Sequence, residues 1–358
     1  MAVRRHRPVL QCSIQQAGFT LLELMMGMVV AGIVVAAAFS ILTTTSKAMR
    51  ANEQIVDTQQ NLRMAMELLV RDIKLAGFGN PGVPVGNCSY GIVPSDQTVT
   101  GADSGPDSVQ MLVPTIRASG SNRWTLSGPT NSSGTTQITL QPGAVADMVS
   151  SGLTVGSYVS LSGSATAQVT GLDDTASTIN VSIPAPLWFQ QDDPVYLLQC
   201  IRYQVVVPPD PTNLCGGNAP CLTRGVAGVV TGPNAEAPIG EGIEDLQLAY
   251  ACDGCVTTIN SGIPDRIIDD QNVSNSFDQG DFLSDVPWTV TPLTPDKIKL
   301  VQVAMVARQS KNDQGFGEGI GAAGSPVMTV PGDHTLPADP NHRRRILVKT
   351  VETRNVGL

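Results

Sequence analysis

The chain has 358 residues, 42% of them hydrophobic and 15% charged, with a formal net charge of −9. That length holds one large or two modest domains with a real core. The acidic balance argues against a generic nucleic-acid binder, which would present a basic face, so no specific nucleic acid is expected as a partner.

Residues 1–18 carry Arg4, Arg5 and Arg7 and then polar residues such as Gln11, Ser13, Gln15 and Gln16, with no apolar core. The run from Phe19 to Leu42 is apolar and carries one charge, Glu23. A carboxylate there is unfavourable in lipid unless it finds a partner. In a secretory signal peptide the apolar segment precedes the cleavage point and is discarded. Cleavage between Gly18 and Phe19 would instead leave it at the new N-terminus. The run is long enough to cross a bilayer as one helix. The leader arginines hold their end on the cytoplasmic side.

Gly18-Phe19-Thr20-Leu21-Leu22-Glu23-Leu24 after a short basic leader resembles the class III leader of type IV pilins and type II secretion pseudopilins. The resemblance implies that a prepilin peptidase cuts after Gly18 and methylates the amine of Phe19. It also implies that Glu23 pairs with the N-terminal amine of a neighbouring subunit inside an apolar bundle. An unpaired buried carboxylate costs several kcal/mol, and a paired, hydrogen-bonded one far less. Docking and register would then depend on Glu23.

Beyond Leu42 the helix is expected to continue as an amphipathic segment over residues 43–77. Leu62, Met66, Leu69, Ile73 and Ala76 recur at three-to-four spacing, with Arg63, Glu67, Arg71 and Lys74 on other faces. No proline interrupts Phe19 to Gly79, and Gly77-Phe78-Gly79-Asn80-Pro81-Gly82 then stops the helix. Residues 83–199 are rich in Gly, Ser, Thr and Asp and read as a β-rich inserted subdomain. Its short strands include Gln137–Leu140, Tyr158–Leu161 and Thr178–Val181, with flexible loops expected around Gly120 to Gly134. Pro194–Leu198 and Ile201–Val207 are stronger strands, ended by Pro208 and Pro209.

Of seven cysteines, Cys12 lies in the leader, leaving Cys88, Cys200, Cys215, Cys221, Cys252 and Cys255. An even number in an exported chain reads as a disulfide framework, with about 15 connectivities open to six cysteines. The short loops favour local staples between Cys215 and Cys221 and between Cys252 and Cys255, leaving Cys88 with Cys200. The spacing of Cys252-Asp253-Gly254-Cys255 also fits a redox motif or a metal knuckle. The first needs a helix start in a βαβ context and the second two further ligands, so a structural disulfide is the reading taken.

The last third carries a second resemblance. Cys221-Leu222-Thr223-Arg224, Ile243-Glu244-Asp245-Leu246-Gln247-Leu248-Ala249-Tyr250, the run Ile298 to Arg308, and Lys349-Thr350-Val351-Glu352-Thr353-Arg354-Asn355 follow one another in order. With the helix end Met64 to Gly77, they resemble the ordered motifs of PilW-type minor pilins. The chain departs from that pattern at Tyr250-Ala251, where tyrosine-glycine is usual, and in the added Cys252 to Cys255 loop.

Ile298 to Arg308 reads as a central strand, largely apolar on both faces. Glu244 and Asp245 are expected to cap or turn the chain between strands, and His342-Arg343-Arg344-Arg345 to be a solvated strand entry. Asp269, Asp270, Asp278 and Asp281 are weak calcium candidates in an oxygen-rich segment that lacks EF-hand spacing. No nucleophile motif, phosphate-binding loop or histidine-rich motif is present, so no catalytic residue and no cofactor are expected.

The expected fold is α+β and type IV pilin-like. A long N-terminal helix, the spine, packs on a C-terminal antiparallel sheet of residues 200–358, with the β-rich subdomain inserted between them. The resemblance implies a structural protein, not an enzyme: a minor pilin at the filament tip that primes pilus assembly. Before assembly it would be a single-pass inner-membrane protein with a periplasmic head, and afterwards part of the pilus at the cell surface. Its implied partners are prepilin peptidase, other minor pilins, the major pilin and the inner membrane. A J-type pseudopilin of type II secretion and a tip adhesin binding through the variable middle are the two alternatives.

Overall fold

The computed structural model describes residues 18, 20–79, 82–95, 105–117, 123–210, 213–217, 219–227, 229, 232, 235–256, 262–284, 286–311, 328–329 and 334–356. Phe19 and the leader before Gly18 lie outside these. The chain divides into two compact units, one ending at Asn52 and one beginning at Glu53.

The first unit holds the start of α1 (Leu21–Leu75), a single 55-residue helix. The absence of proline and the weight of Ala, Leu and Met favour its continuity. Between Leu21 and Leu42 every residue of this helix is exposed.

The second unit begins with the rest of α1, where Leu62, Met66, Leu69 and Ile73 are buried at three-to-four spacing. It continues through β1 (Ile92–Ser95), β2 (Ser108–Thr115), β3 (Thr130–Thr139), α2 (Ala144–Ser150), β4 (Tyr158–Leu161), β5 (Ala165–Asp173), β6 (Thr178–Phe189) and β7 (Val195–Val206). Then come β8 (Cys221–Val226), β9 (Ala237–Glu241), β10 (Ile243–Cys252), β11 (Ile298–Arg308), β12 (Met328–Thr329), β13 (Thr335–Leu336) and β14 (Arg344–Glu352). All strand pairs are antiparallel. The fold is α+β, a long N-terminal helix followed by antiparallel sheet.

Strand β7 organises the larger sheet, whose order is β1-β2-β7-β4-β5-β6-β3 with β8 and β9 branching from β7. One edge of β7 pairs with β2 along its length. The other pairs first with β4, through Val195 to Leu198, and then with β8, through Ile201 to Val206. Its side chains divide accordingly. Val195 and Leu197 enter a core with Trp124, Met148 and Ile179, while Ile201 and Tyr203 enter the core under α1. The smaller sheet, β10-β11-β14, sets Val301, Val303 and Met305 of β11 into that second core with Leu62, Met66 and Leu69.

Three expectations need correction. Residues 130–134, expected in a flexible loop, begin β3 and pair with β6, because a Ser/Thr-rich edge strand satisfies its backbone in a ladder as well as an apolar one does. Glu244 and Asp245 do not turn the chain. Gly242, at φ +80°, makes the turn just before them, and both acids lie within β10. Arg344 is not solvated, for its side chain is buried against Glu244.

The helix stop is tight. Gly77 sits at φ +79°, its N–H donating to the Leu112 carbonyl at 2.9 Å. A Cβ at Gly77 would lie 2.8 Å from the Asn355 carbonyl oxygen and 3.4 Å from the Gly91 Cα. Gly77→Ala is therefore expected to lower stability by about 1–3 kcal/mol through strain and backbone overlap. Thermal unfolding of the full chain in detergent checks this, a melting temperature equal to wild type being the contrary result.

Candidate functional site

The N-terminus of α1 is built as a capped helix start. Thr20 accepts the Glu23 N–H on its hydroxyl at 3.3 Å and on its carbonyl at 3.1 Å, the spacing of a Thr-x-x-Glu capping box. Gly18 lies immediately before this turn, and Glu23 is exposed on its first coil. No ion pair of Glu23 occurs among the described residues. From Leu21 to Leu42, fourteen large apolar side chains are 53% (Val35) to 78% (Leu21) exposed, on every side of the helix. A helix apolar all round is buried in lipid or in a bundle of other helices. A carboxylate in such surroundings is unfavourable unless it is partnered.

A second cluster holds the far end of the helix. Asp72 is fully buried. Its Oδ2 accepts from the Tyr203 hydroxyl at 2.7 Å and from Arg224 Nε at 2.8 Å, and Arg71 donates to Oδ1 at 2.9 Å. The Arg224 guanidinium also lies over the Tyr203 ring, 5.9 Å from its centroid. Burial, and then the Asp72 charge, push the Tyr203 phenol well above its usual range. Burial alone would lower Arg224, but Asp72 outweighs it and the guanidinium is held above its ordinary value. This arrangement ties α1 to β7 and β8. Neither Asp72 nor Tyr203 was singled out from the sequence. The signal that could have found Asp72 is a carboxylate beside Ile73 on an otherwise apolar helix face.

Two comparisons with known families bear on these ends. Residues 14–39 match the prokaryotic N-terminal methylation motif. Residues 212–355 match the family described as type IV pilus-assembly protein W, PilW. The chain is a type IV pilus-related pilin with a PilW region. No curated protein and no solved structure matches it. The PilW region contains β8 to β14, and with them Arg224. The methylation motif contains Gly18, Phe19, Glu23 and most of the exposed apolar helix, which fits a single-pass inner-membrane anchor. Pilins of this family are structural proteins.

Six of the seven cysteines form three disulfides, Cys88–Cys200, Cys215–Cys221 and Cys252–Cys255. The first closes a sequence separation of 112 residues, the others separations of 6 and 3. Serine at Cys88 and Cys200 is expected to lower stability by about 2–4 kcal/mol, because the long loop restricts the unfolded chain most. Urea unfolding with the two local bridges intact reads this directly, and an unchanged midpoint would contradict it.

The four aspartates considered for calcium do not converge on one point among the described residues. Each is an acceptor for loop backbone. Asp269 takes the N–H groups of Gly254, Cys255 and Val256, and Asp270 those of Ser274 and Asn275. Asp278 takes Gly280 N–H, and Asp281 takes Gln271 and Asp278 N–H. Asp278 is held below its ordinary value by the Gly280 N–H. Cys252, Cys255 and Asp269 do bring three metal-type atoms together, but both sulfurs are bonded to each other.

A further ion-pair group lies at the other end of the small sheet. Glu244 pairs with Arg344, and its carboxyl is raised by burial against the pull of that guanidinium. Asp339 binds the His342 ring at 2.9 Å, and Asp245 the His334 ring at 3.1 Å. Burial acts to raise Asp339, yet its N–H donors from Asn341 and His342 leave it below its ordinary value. These pairs fasten residues 334–342 to β10 and β11.

Proposed function

We propose that this chain is a minor pilin that assembles with other minor pilins at the tip of a type IV pilus and primes polymerisation of the major pilin. The observation that carries the reading is Glu23, a single carboxylate on the first turn of a helix whose apolar side chains find no cover in their own unit. In this reading prepilin peptidase cuts after Gly18 and methylates Phe19. The new amine of one subunit then meets Glu23 of the next. Pairing two opposite charges inside an apolar bundle removes the desolvation cost that each would carry alone, so only a docked, correctly registered subunit is stable there. A head formed by residues 53–358 is bulky for a repeated shaft subunit and suits a terminal position.

Mass spectrometry of sheared filaments tests this. The expected result is a substoichiometric chain beginning at N-methylated Phe19, with few pili when the gene is deleted. A chain missing from filaments, with pilus number unchanged by deletion, would refute the priming role. Loss of exoprotein release with normal twitching would assign the chain to a type II secretion system instead.

A further inference from the structure

Four asparagines stand in the pattern Asn-x-Ser that marks an N-glycosylation acceptor in an exported chain: Asn87, Asn131, Asn180 and Asn272. Their surroundings separate them. Asn180 lies inside β6 between β3 and β5, and its Nδ2 packs so closely over Gly171 that a Cβ there would come within 2.8 Å of it. Asn131 is held in the β3 ladder opposite Trp188. Asn87 is followed by Cys88, which is fully buried and bridged to Cys200. Asn272-Val273-Ser274 instead lies in the loop between β10 and β11, outside any strand, and all three residues are exposed.

The loop fixes that tripeptide in an outward turn. Asp270 accepts the N–H groups of Ser274 and Asn275, and Asn272 Oδ1 accepts the Ser274 N–H at 2.9 Å, so the amide is presented from an Asx turn and not from extended backbone. One hydrogen of Asn272 Nδ2 goes to Asp278 Oδ1 at 2.8 Å, which leaves the other for substitution. Residue 280 is glycine where this nitrogen passes, and a Cβ there would lie 2.2 Å from it. Val273 stands at φ +59°, a costly conformation for a β-branched residue, and is 77% exposed. The neighbourhood is also apolar and uncovered. Ile263, Ile267, Val273, Phe277 and Val290 of this loop are 55–77% exposed, while its Asp253, Asp269 and Asp281 are buried as acceptors for backbone N–H groups. Among the described residues beyond 76, seven large apolar side chains are more than half exposed, and these are five of them, so the exposure is concentrated, not scattered.

We propose that Asn272 is an N-glycosylation site, its amide nitrogen taking an oligosaccharide from a polyprenyl-pyrophosphate carrier once the head has crossed the membrane. Asn272 Nδ2 attacks C1 of the first sugar and the N–C1 bond forms. The C1–O bond to the carrier breaks, the polyprenyl pyrophosphate departs, and one amide proton passes to a base of the transferase, with nothing oxidised or reduced. The three disulfides belong to an oxidising compartment, which is where the loop would meet such a carrier. Asp270 adds a carboxylate two positions before the acceptor, a feature that bacterial transferases of this class read beside the tripeptide, whereas Val85, Pro129 and Thr178 hold that position in the other three. The Asn272–Asp278 bond brings the segment of Phe277 alongside the acceptor. A sugar there turns its C–H faces to Val273 and Phe277 and its hydroxyls to water, so the exposed apolar loop gains a cover that needs no second protein. This inference is independent of placement at the tip.

The test uses the full chain, purified in detergent from the cells in which it is natively made. Proteolysis and fragmentation mass spectrometry are expected to find the peptide containing Asn272 with sugar attached to that residue. Asn272→Gln and Ser274→Ala should each lower the modified fraction at least tenfold, while Ser274→Thr and Asn180→Gln leave it as in wild type. Ser274→Ala keeps the backbone N–H that bonds Asp270 and Asn272, so its effect reads the hydroxyl and not the turn. An Asn272 peptide found only unmodified, sugar attached to another residue and not to Asn272, or modification indifferent to Ser274→Ala would each overturn the proposal.

Discussion

Glu23→Ala is expected to leave cleavage after Gly18 intact and to reduce incorporation into filaments at least tenfold. Alanine is the best helix former, and Thr20 still caps the first turn through the backbone N–H of residue 23. The helix therefore survives, and only the carboxylate is lost. What changes is the fate of the neighbour's amine, which in the proposed bundle would be desolvated with no counter-charge, at a cost of several kcal/mol. A tenfold change in occupancy corresponds to about 1.4 kcal/mol, so even a partly hydrated bundle should reveal the effect. Glu23→Gln should fall between, keeping an acceptor without a charge. Immunoblots of sheared filaments against the membrane pool measure it. Wild-type incorporation of the alanine variant would remove the basis of the assembly reading.

Asp72→Ala should act on the head itself and be the most damaging single change to its stability. It removes the shared acceptor of Tyr203 and Arg224 and leaves a largely buried guanidinium without its carboxylate. Breaking a buried pair in this way costs about 3–5 kcal/mol. Arg224→Ala should be similarly costly, and the double variant should cost much less than the two together, because both dismantle one cluster. Urea unfolding of the four chains gives the coupling directly. Additive losses would mean that the three side chains do not act as a unit. Together with Glu23→Ala this separates two failures: one variant folds and does not assemble, and the other does not fold.

The helix and its end were legible because their signals are local. A proline-free apolar run, a three-to-four period from Leu62 to Ala76 and a Gly-rich stop all lie within one stretch of sequence, as does the spacing from Gly18 to Glu23. The strands at Tyr158–Leu161 and within Ile201–Val207 were legible from alternation and β-branched residues. Residues 130–134 were not, because a Gly- and Ser-containing run enters a ladder only through its partner β6. The role of β7 was hidden for a different reason: one strand serving β2, β4 and β8 is set by topology, and its alternation says nothing of how many neighbours it has. Glu244, Asp245 and Arg344 were misplaced because their partners lie far along the chain, Arg344 being a hundred residues from Glu244. Charge patterns read locally suggest solvent wherever a distant counter-charge is out of sight.

The bridge between Cys88 and Cys200 also sets an order of events during export. The first thiol emerges well before its mate, and while it waits no other cysteine has yet appeared with which it could pair wrongly. Once Cys200 has crossed, Cys215 and Cys221 follow closely, so the interval for correct oxidation is short. A cell that slows its thiol oxidant should therefore accumulate scrambled heads before it loses the anchor.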